Sequence, residues 1–416
     1  MASKVNNPLR RWISFAGRMK HQYVKSREIQ KHRKMLLSDT THPNKQPTKP
    51  FGVNLGGLFT YQAGVGESVR IIGRAIETIL PGQHAFIDYP ITKSPAKNPE
   101  FLEKLSTDHP FAINIIHLNP PALDHLIQLQ GAQFLKNRYN IFIIFWELEK
   151  PPKDWHFWLR FADEIWVTSE FVQKSLSSAT DKPVHKITPS ITVHRGETKQ
   201  RSDFDLPEDQ TLFLLMYDVK SISARKNPEA VIEAYRRMTH NHDCRYAGLV
   251  IKVNHATDEE MEALRSKTND LPNIHIRTGT LSRDDILSLI DCCDSLISLH
   301  RSEGFGLILT EAMLLEKPVI GTNWSSTAEF LHPDYSYPVD VNLIEIKEKQ
   351  SVYERGNRWA DPDIDQAAAF MHEIVTNPER AKAKGQKAKA FVQKTYSDEA
   401  MHRSIREHIT RLREFL

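Results

Sequence analysis

His300-Arg301-Ser302-Glu303-Gly304-Phe305-Gly306-Leu307-Ile308-Leu309-Thr310-Glu311-Ala312 is the stretch on which the reading of this chain turns. Asp294 to Leu299 before it is a short apolar strand, Leu307 to Glu316 continues it as a helix, and Pro318 to Gly321 is the next strand. Strand, loop, helix and strand in that order form a parallel crossover, and in open parallel sheets ligands bind just outside the carboxyl ends of the strands. The loop between Leu299 and Leu307 is therefore where chemistry belongs. Gly304 and Gly306 let the backbone approach a ligand, and the free N–H groups of a helix start, with Phe305 and Leu307 beside them, favour a phosphate. Glu303 stands in the loop; Glu311, eight positions on, can accept hydrogen bonds from vicinal hydroxyls as a carboxylate does for a ribose.

The same alternation extends outward. Upstream, Leu212 to Met216 and Leu249 to Val253 read as strands, and Asn227-Pro228 opens a helix with Asn as N-cap. Ser282-Arg283-Asp284-Asp285 starts another in the manner of a capping box. Residues 211–390 form one α/β domain. Residues 191–210, polar and without apolar periodicity, read as an inter-domain linker. Before it, Phe51 to Leu55, Ala85 to Tyr89, Phe111 to His117, Tyr139 to Phe145 and Glu164 to Thr168 are candidate strands separated by helical segments, one of them starting at Gly64-Val65-Gly66-Glu67. These make a second α/β domain over 51–190. Ala381 to Val392 reads as a surface helix, and 391–416 as a C-terminal helix expected to pack back on the first domain.

The 416 residues are 40% hydrophobic and 26% charged, which fits a globular chain and excludes disordered and collagen-like classes. The longest apolar run, Ile141 to Trp146, is far short of the roughly 20 residues that span a bilayer, and no secretory h-region is present. Cys244, Cys292 and Cys293 are too few for a disulfide framework or a cysteine zinc site, so the expected setting is the cytoplasm. His240-Asn241-His242 lacks further ligands, and no metal site is expected.

The net charge of +3 hides an asymmetry: residues 1–50 hold twelve Lys and Arg against Glu28 and Asp39. Trp12, Phe15, Met19 and Tyr23 recur at spacings of three and four, an amphipathic helical pattern opposite a cationic face. Such a segment suits an anionic membrane surface, where each Lys or Arg contributes about 1 kcal/mol. Residues 1–37 are expected to dock there, on the cytoplasmic face of the inner membrane. Packing on the body or contact with RNA is the alternative; no nucleic-acid partner is expected. Thr40 to Pro50 is a linker.

The Glu-x7-Glu spacing inside Ser302-Glu303-Gly304-Phe305-Gly306-Leu307, followed by Lys317-Pro318-Val319-Ile320-Gly321-Thr322, resembles the group 1 retaining glycosyltransferases of the GT-B fold. Gly64-Val65-Gly66-Glu67-Ser68, Phe145-Trp146-Glu147-Leu148, Asp163 to Val167, Arg225-Lys226-Asn227-Pro228 and Arg358 to Asp363 resemble a branch that assembles bacterial polysaccharides, covering about residues 51–390. The resemblance implies two facing Rossmann-like domains with an interdomain cleft. It implies transfer of a hexose-type sugar from a nucleotide-sugar donor to a glycan or lipid-linked saccharide, with retention and with no metal or other cofactor. Arg225 and Lys226 match the basic pair that neutralises the donor diphosphate, with Lys252 as a further cation. Glu303 matches the carboxylate beside the transferred sugar, and Glu311 the one that holds the ribose. Gly64 and Gly66 match a loop at the donor phosphates, His117 a histidine near the reaction centre, and Glu67, Trp146 and Glu147 the acceptor side. Asn323 to Thr327 follows a strand and faces the sugar in such enzymes, although Ser326-Thr327 stands here where Gly-Asn is expected. Two other classes compete. An inactive GT-B shell used for glycan or membrane binding would be expected to lose some of these charges; a nicotinamide oxidoreductase would need a Gly-x-Gly-x-x-Gly after its first strand, which is absent.

Overall fold

A computed structural model describes residues 48–61, 64–89, 91, 98–193, 196, 198–242 and 245–416. The basic segment 1–37 lies outside the described residues, so its docking role is not addressed by the fold. Among the described residues no helix is long and apolar enough to cross a membrane.

Two six-stranded parallel sheets organise the chain. The first contains β1 (Val53–Gly57), β2 (His84–Asp88), β3 (Ile113–Ile116), β4 (Tyr139–Ile143), β5 (Glu164–Val167) and β6 (Val184–Lys186), in the order β2-β1-β3-β4-β5-β6. The second contains β7 (Thr211–Asp218), β8 (Ala247–Asn254), β9 (Ile274–Arg277), β10 (Ser295–Ser298), β11 (Val319–Thr322) and β12 (Tyr337–Val339), in the order β12-β11-β10-β7-β8-β9. Both orders reverse once, between β1 and β3 and between β7 and β10. At such switch points the loops past the strand ends diverge and leave a crevice.

Strands buried on both faces are expected to be apolar along their length, as Leu212–Leu215 is, whereas Ile113–Ile116 is buried throughout but carries Asn114. The exception is informative. Asn54, Asn114 and Asn140 are cross-strand neighbours on β1, β3 and β4, and their buried amides form a ladder, Asn54 to Asn114 at 2.9 Å and Asn114 to Asn140 at 2.8 Å. A one-residue slip would leave these buried amides unpaired, so the ladder specifies register.

Three local expectations change. Residues 191–210 are more than a polar linker: Ile191, Phe204 and Leu206 are buried in the second core, because isolated apolar residues with no period can still be captured by a domain surface. Asn227 adopts φ +53° and makes no side-chain cap; its Nδ2 donates instead to the carbonyl of Leu299, tying the turn between helices Ser223–Lys226 and Pro228–Asn241 to the end of β10. The helix Pro378–Thr395 buries Ala381, Gly385, Ala388 and Val392, and Gly385 sits so close to Glu316 that a Cβ would lie 1.9 Å from its carbonyl oxygen. Past β12 an antiparallel hairpin, β13 (Val341–Glu345) with β14 (Arg358–Pro362), sends Ile346, Tyr353 and Trp359 into the core of the first domain beside Trp146 and Trp155. The final helix, Asp398–Arg413, returns to the first domain and packs on helix Gly64–Ile79 through Met401, Ile405, Ile409 and Leu412. Each such fully buried side chain contributes roughly 1.5–3 kcal/mol.

Candidate active site

The two switch points face each other. At the second, the short helix Ser223–Lys226 presents Arg225 and Lys226 to the loop after β10. Arg225 Nη1 lies 3.0 Å from Glu303 Oε1 and donates to the Ser302 carbonyl at 2.9 Å, while Lys226 Nζ bonds the same Oε1. Burial alone would raise the Glu303 pKa, but the neighbouring Arg225 and Lys226 charges overcome it and hold the carboxyl well below the usual carboxylate range. Arg225 is buried, and its Nε has no hydrogen-bond partner among the described residues. An unsatisfied guanidinium N–H is uncommon in an interior and marks a place where an acceptor is wanted.

Gly306 caps helix Leu307–Leu314 with φ +97°, and a Cβ there would meet Thr327 Cγ2 at 2.8 Å. Only glycine fits that turn without strain. One turn further, Glu311 is 1% exposed and accepts from Arg283 Nη2 at 2.6 Å. Burial raises the Glu311 pKa; Arg283 draws it down and the charge of Glu67, across the cleft, pushes it up. Arg283, at the start of helix Arg283–Cys292, is a site residue that sequence reading passed over as an ordinary first-turn charge.

His300 anchors the loop from beneath. It is fully buried, with Nδ1 on Ser298 Oγ at 3.0 Å and Nε2 on Thr327 Oγ1 at 3.1 Å. The Thr327 hydroxyl also lies 2.8 Å from the backbone carbonyls of Thr322 and Trp324, and burial pushes the His300 pKa down to about 4. Ser325 Oγ accepts from the Glu303 N–H, and Ser326 Oγ donates to the Gly304 carbonyl. Ser325, Ser326 and Thr327 are thus spent on holding the loop.

At the first switch point, Glu67 opens helix Gly64–Ile79. Burial works to raise its pKa, but hydrogen bonds from Arg70 and Arg74 outweigh it and keep it lowered. Gly66 is required by packing, since a Cβ would lie 2.0 Å from the Tyr61 carbonyl, whereas nothing lies within 4 Å of one on Gly64. His117 is fully buried with Nε2 on Ser68 Oγ at 3.0 Å and Nδ1 unpartnered among the described residues. Burial pushes its pKa down to about 4, so the ring is neutral.

A cavity of about 280 Å³ separates the two loops, lined by Gly64, Ser68, Glu147 and Glu303 to Leu307. Beside it Ser169 Oγ meets Ser326 Oγ at 2.7 Å, and the Ser302 hydroxyl donates to the Glu147 carbonyl. Two sequence assignments move. Trp146 does not line the cleft with its ring, which is 2% exposed and packs against Trp155 and Tyr353; only its backbone approaches Gly304. Lys252 is buried, and its ammonium is taken up by Asn254 Oδ1 and the Gly279 carbonyl.

Comparison with known proteins agrees with this geometry. Residues 197–391 match the model of the group 1 glycosyl transferases. The chain is 31% identical over 132 residues, 32% of its length and 16% of the relative's, to a serotype-specific mannosyltransferase, WbdA, of Escherichia coli. A second WbdA sequence is 28% identical over 183 residues, 41% of this chain and 22% of that one. The chain thus spans less than a quarter of the curated relatives it matches. Among solved structures it is similar to Anabaena HepE in complex with UDP and glucose, at TM-score 0.61 and 12% identity over 86% of this chain and 99% of that one. It is also similar to sucrose-phosphate synthase from Thermosynechococcus elongatus, at TM-score 0.61 and 16% identity over 88% and 99%. Residues 197–391 thus resemble the group 1 glycosyl transferases, and the chain's two facing domains have the GT-B fold.

Proposed function

We propose that the protein transfers a hexose-type sugar from a nucleotide-sugar donor to a glycan or lipid-linked saccharide, with retention of anomeric configuration, in cell-surface polysaccharide assembly. The observation that carries this reading is the convergence of Arg225 and Lys226 on Glu303 at the mouth of a glycine-capped helix. When the donor binds, the two cations face its diphosphate and Glu303 faces the sugar, while Glu311 and Arg283 take the ribose. The bond from the anomeric carbon to the diphosphate oxygen breaks and its electron pair leaves with the diphosphate, whose charge Arg225 and Lys226 stabilise. The acceptor oxygen bonds the anomeric carbon from the same face, and its proton passes to the departing diphosphate. Two adjacent side-chain cations supply the charge that such a leaving group needs, so the reading assigns no divalent ion to the cleft. The WbdA relatives, named as mannosyltransferases, favour a hexose over other sugars.

Thermal unfolding of the purified protein with a panel of nucleoside diphosphates and nucleotide sugars tests the donor site. A ligand at 100 times its Kd stabilises the native state by about 2.7 kcal/mol. One base is expected to raise Tm, with the shift lost in Glu311→Ala and Lys226→Ala; a panel without any shift would count against a donor site. Proton NMR of the first product formed then distinguishes retention from inversion.

A further inference from the structure

Three side chains meet where the returning C-terminal helix crosses the edge of the first sheet, beside Trp166 and Ile405 of the cavity wall. Trp166 on β5 and His185 on β6 are cross-strand partners, so Glu164, two residues before Trp166, and His185 share one sheet face. The helix Asp398–Arg413 covers that face and brings His408 over it, 4.6 Å from His185 and 5.7 Å from Trp166 between ring centroids. Glu164 Oε2, His185 Nε2 and a His408 nitrogen lie within 4.8 Å of one another.

The hydrogen bonding leaves this cluster incomplete. Glu164 is 0% exposed; its Oε1 accepts from Trp166 Nε1 at 2.7 Å, and its Oε2 from Tyr139 at 3.1 Å and from Arg411. His185 Nε2 and His408 Nδ1 are buried and have no hydrogen-bond partner among the described residues. Leaving a buried polar atom unsatisfied costs about 1–3 kcal/mol, and His185 Nε2 lies 3.8 Å from Glu164 Oε2, outside hydrogen-bond reach. Burial lowers both imidazole pKa values, that of His408 further through His185. Neutral imidazole is the form that binds metal.

We propose that Glu164, His185 and His408 form a zinc site, completed by water, that clips the C-terminal helix to the first domain. Two imidazole nitrogens and a carboxylate oxygen suit a tetrahedral, borderline-soft divalent ion. Bonds of about 2.0–2.1 Å set tetrahedral ligand atoms about 3.3 Å apart, so the cluster must tighten by small ring rotations. Arg411, whose side chain is 42% exposed, must also swing from Oε2 into solvent. Nearby, Ser190 Oγ donates to Asp398 Oδ1 at 2.5 Å and the Thr188 N–H to Ser404 Oγ at 3.4 Å. The clip therefore fastens the chain that connects the domains, and it takes no part in sugar transfer.

The test uses the full, tag-free chain stripped with EDTA and titrated with zinc chloride, by calorimetry and by thermal unfolding. One zinc per chain is expected to bind and raise Tm, magnesium chloride to leave Tm unchanged, and His185→Ala or His408→Ala to weaken zinc binding at least about tenfold. Arg411→Met keeps all three ligands and removes the competing cation, so it is expected to tighten binding several-fold. Failure to bind zinc, or unchanged affinity in both alanine variants, overturns the site. Should the alanine variants not fold, affinity in Arg411→Met that is unchanged or weaker overturns it equally.

Discussion

Arg283 Nη2 stands 2.6 Å from Oε1 of Glu311, the buried carboxylate one turn inside helix Leu307–Leu314. Arg283 keeps that carboxylate available as an acceptor against the burial that raises its pKa. A ribose needs the ionised form. Arg283→Met is therefore expected to weaken nucleoside diphosphate binding by about 10–100-fold, in line with 1.4 kcal/mol per factor of ten for a lost charge-assisted contact. It also has a pH signature, because without Arg283 the Glu311 proton is held more tightly, so full binding requires higher pH. Calorimetric titration at several pH values checks both; a pH profile identical to wild type would assign Arg283 a packing role only.

Gly64 and Gly66 occupy the same helix start but carry different constraints. A Cβ at Gly66 runs into backbone, 2.0 Å from the Tyr61 carbonyl and 3.0 Å from that of Leu58, so nothing flexible can give way. Gly66→Ala is expected to destabilise the first domain by about 1–3 kcal/mol, the usual penalty of overpacking. Gly64→Ala meets open space and lines the interdomain cavity, so Tm is expected to hold while KM for donor or acceptor rises. Denaturant unfolding beside steady-state kinetics separates the two, and equal losses of stability would contradict the distinction.

The parts of this site that were legible in sequence are those that lie together in the chain. Glu303, Gly304, Gly306 and Glu311 fall in one strand-loop-helix crossover that their spacing exposes, and Arg225-Lys226 fall in one turn that only the family resemblance marks. Arg283 is joined to Glu311 only by folding, and in sequence it looks like any charge in a first helical turn. Nothing in the sequence assigns Tyr353 and Trp359 to the first domain, yet the hairpin region places them in its core. The Asn54, Asn114 and Asn140 ladder was equally hidden, since asparagine within an apolar strand signals a register device only once its neighbours are known. Trp146 failed in the opposite direction: a Trp just past a strand end fits a binding wall and a core plug equally well, and burial decides for the plug.

The basic segment predicts a separable function. If residues 1–37 hold the protein at an anionic membrane where a lipid-linked acceptor sits, deleting them should weaken binding to vesicles containing anionic lipid. Turnover of a soluble acceptor analogue should be unchanged. The ten Lys and Arg within 1–37 contribute about 1 kcal/mol each near such a surface, and that attraction is screened by salt. Vesicle sedimentation at low and high ionic strength is the measurement. Loss of the cooperative unfolding transition on truncation would instead make the segment part of the fold.

Glu303 joins the proposed sugar site to acid stability. Its pKa lies below the ordinary value of 4.5, so its ion pairs contribute fully above about pH 4.5 and are lost as the pH falls further toward the depressed folded value. With side chains 6% and 12% exposed, Arg225 and Glu303 are a buried pair, and breaking such a pair from one side costs about 3–5 kcal/mol. Glu303→Gln is therefore expected to lower Tm at pH 7 and to reduce kcat more than KM. The Tm gap to wild type should narrow as pH is lowered below about 4.5, because wild type then loses the contribution that the variant lacks already. Thermal unfolding of both proteins between pH 3 and pH 8 measures the gap; a gap independent of pH would mean that Glu303 stabilises the loop by shape and hydrogen bonding rather than by charge.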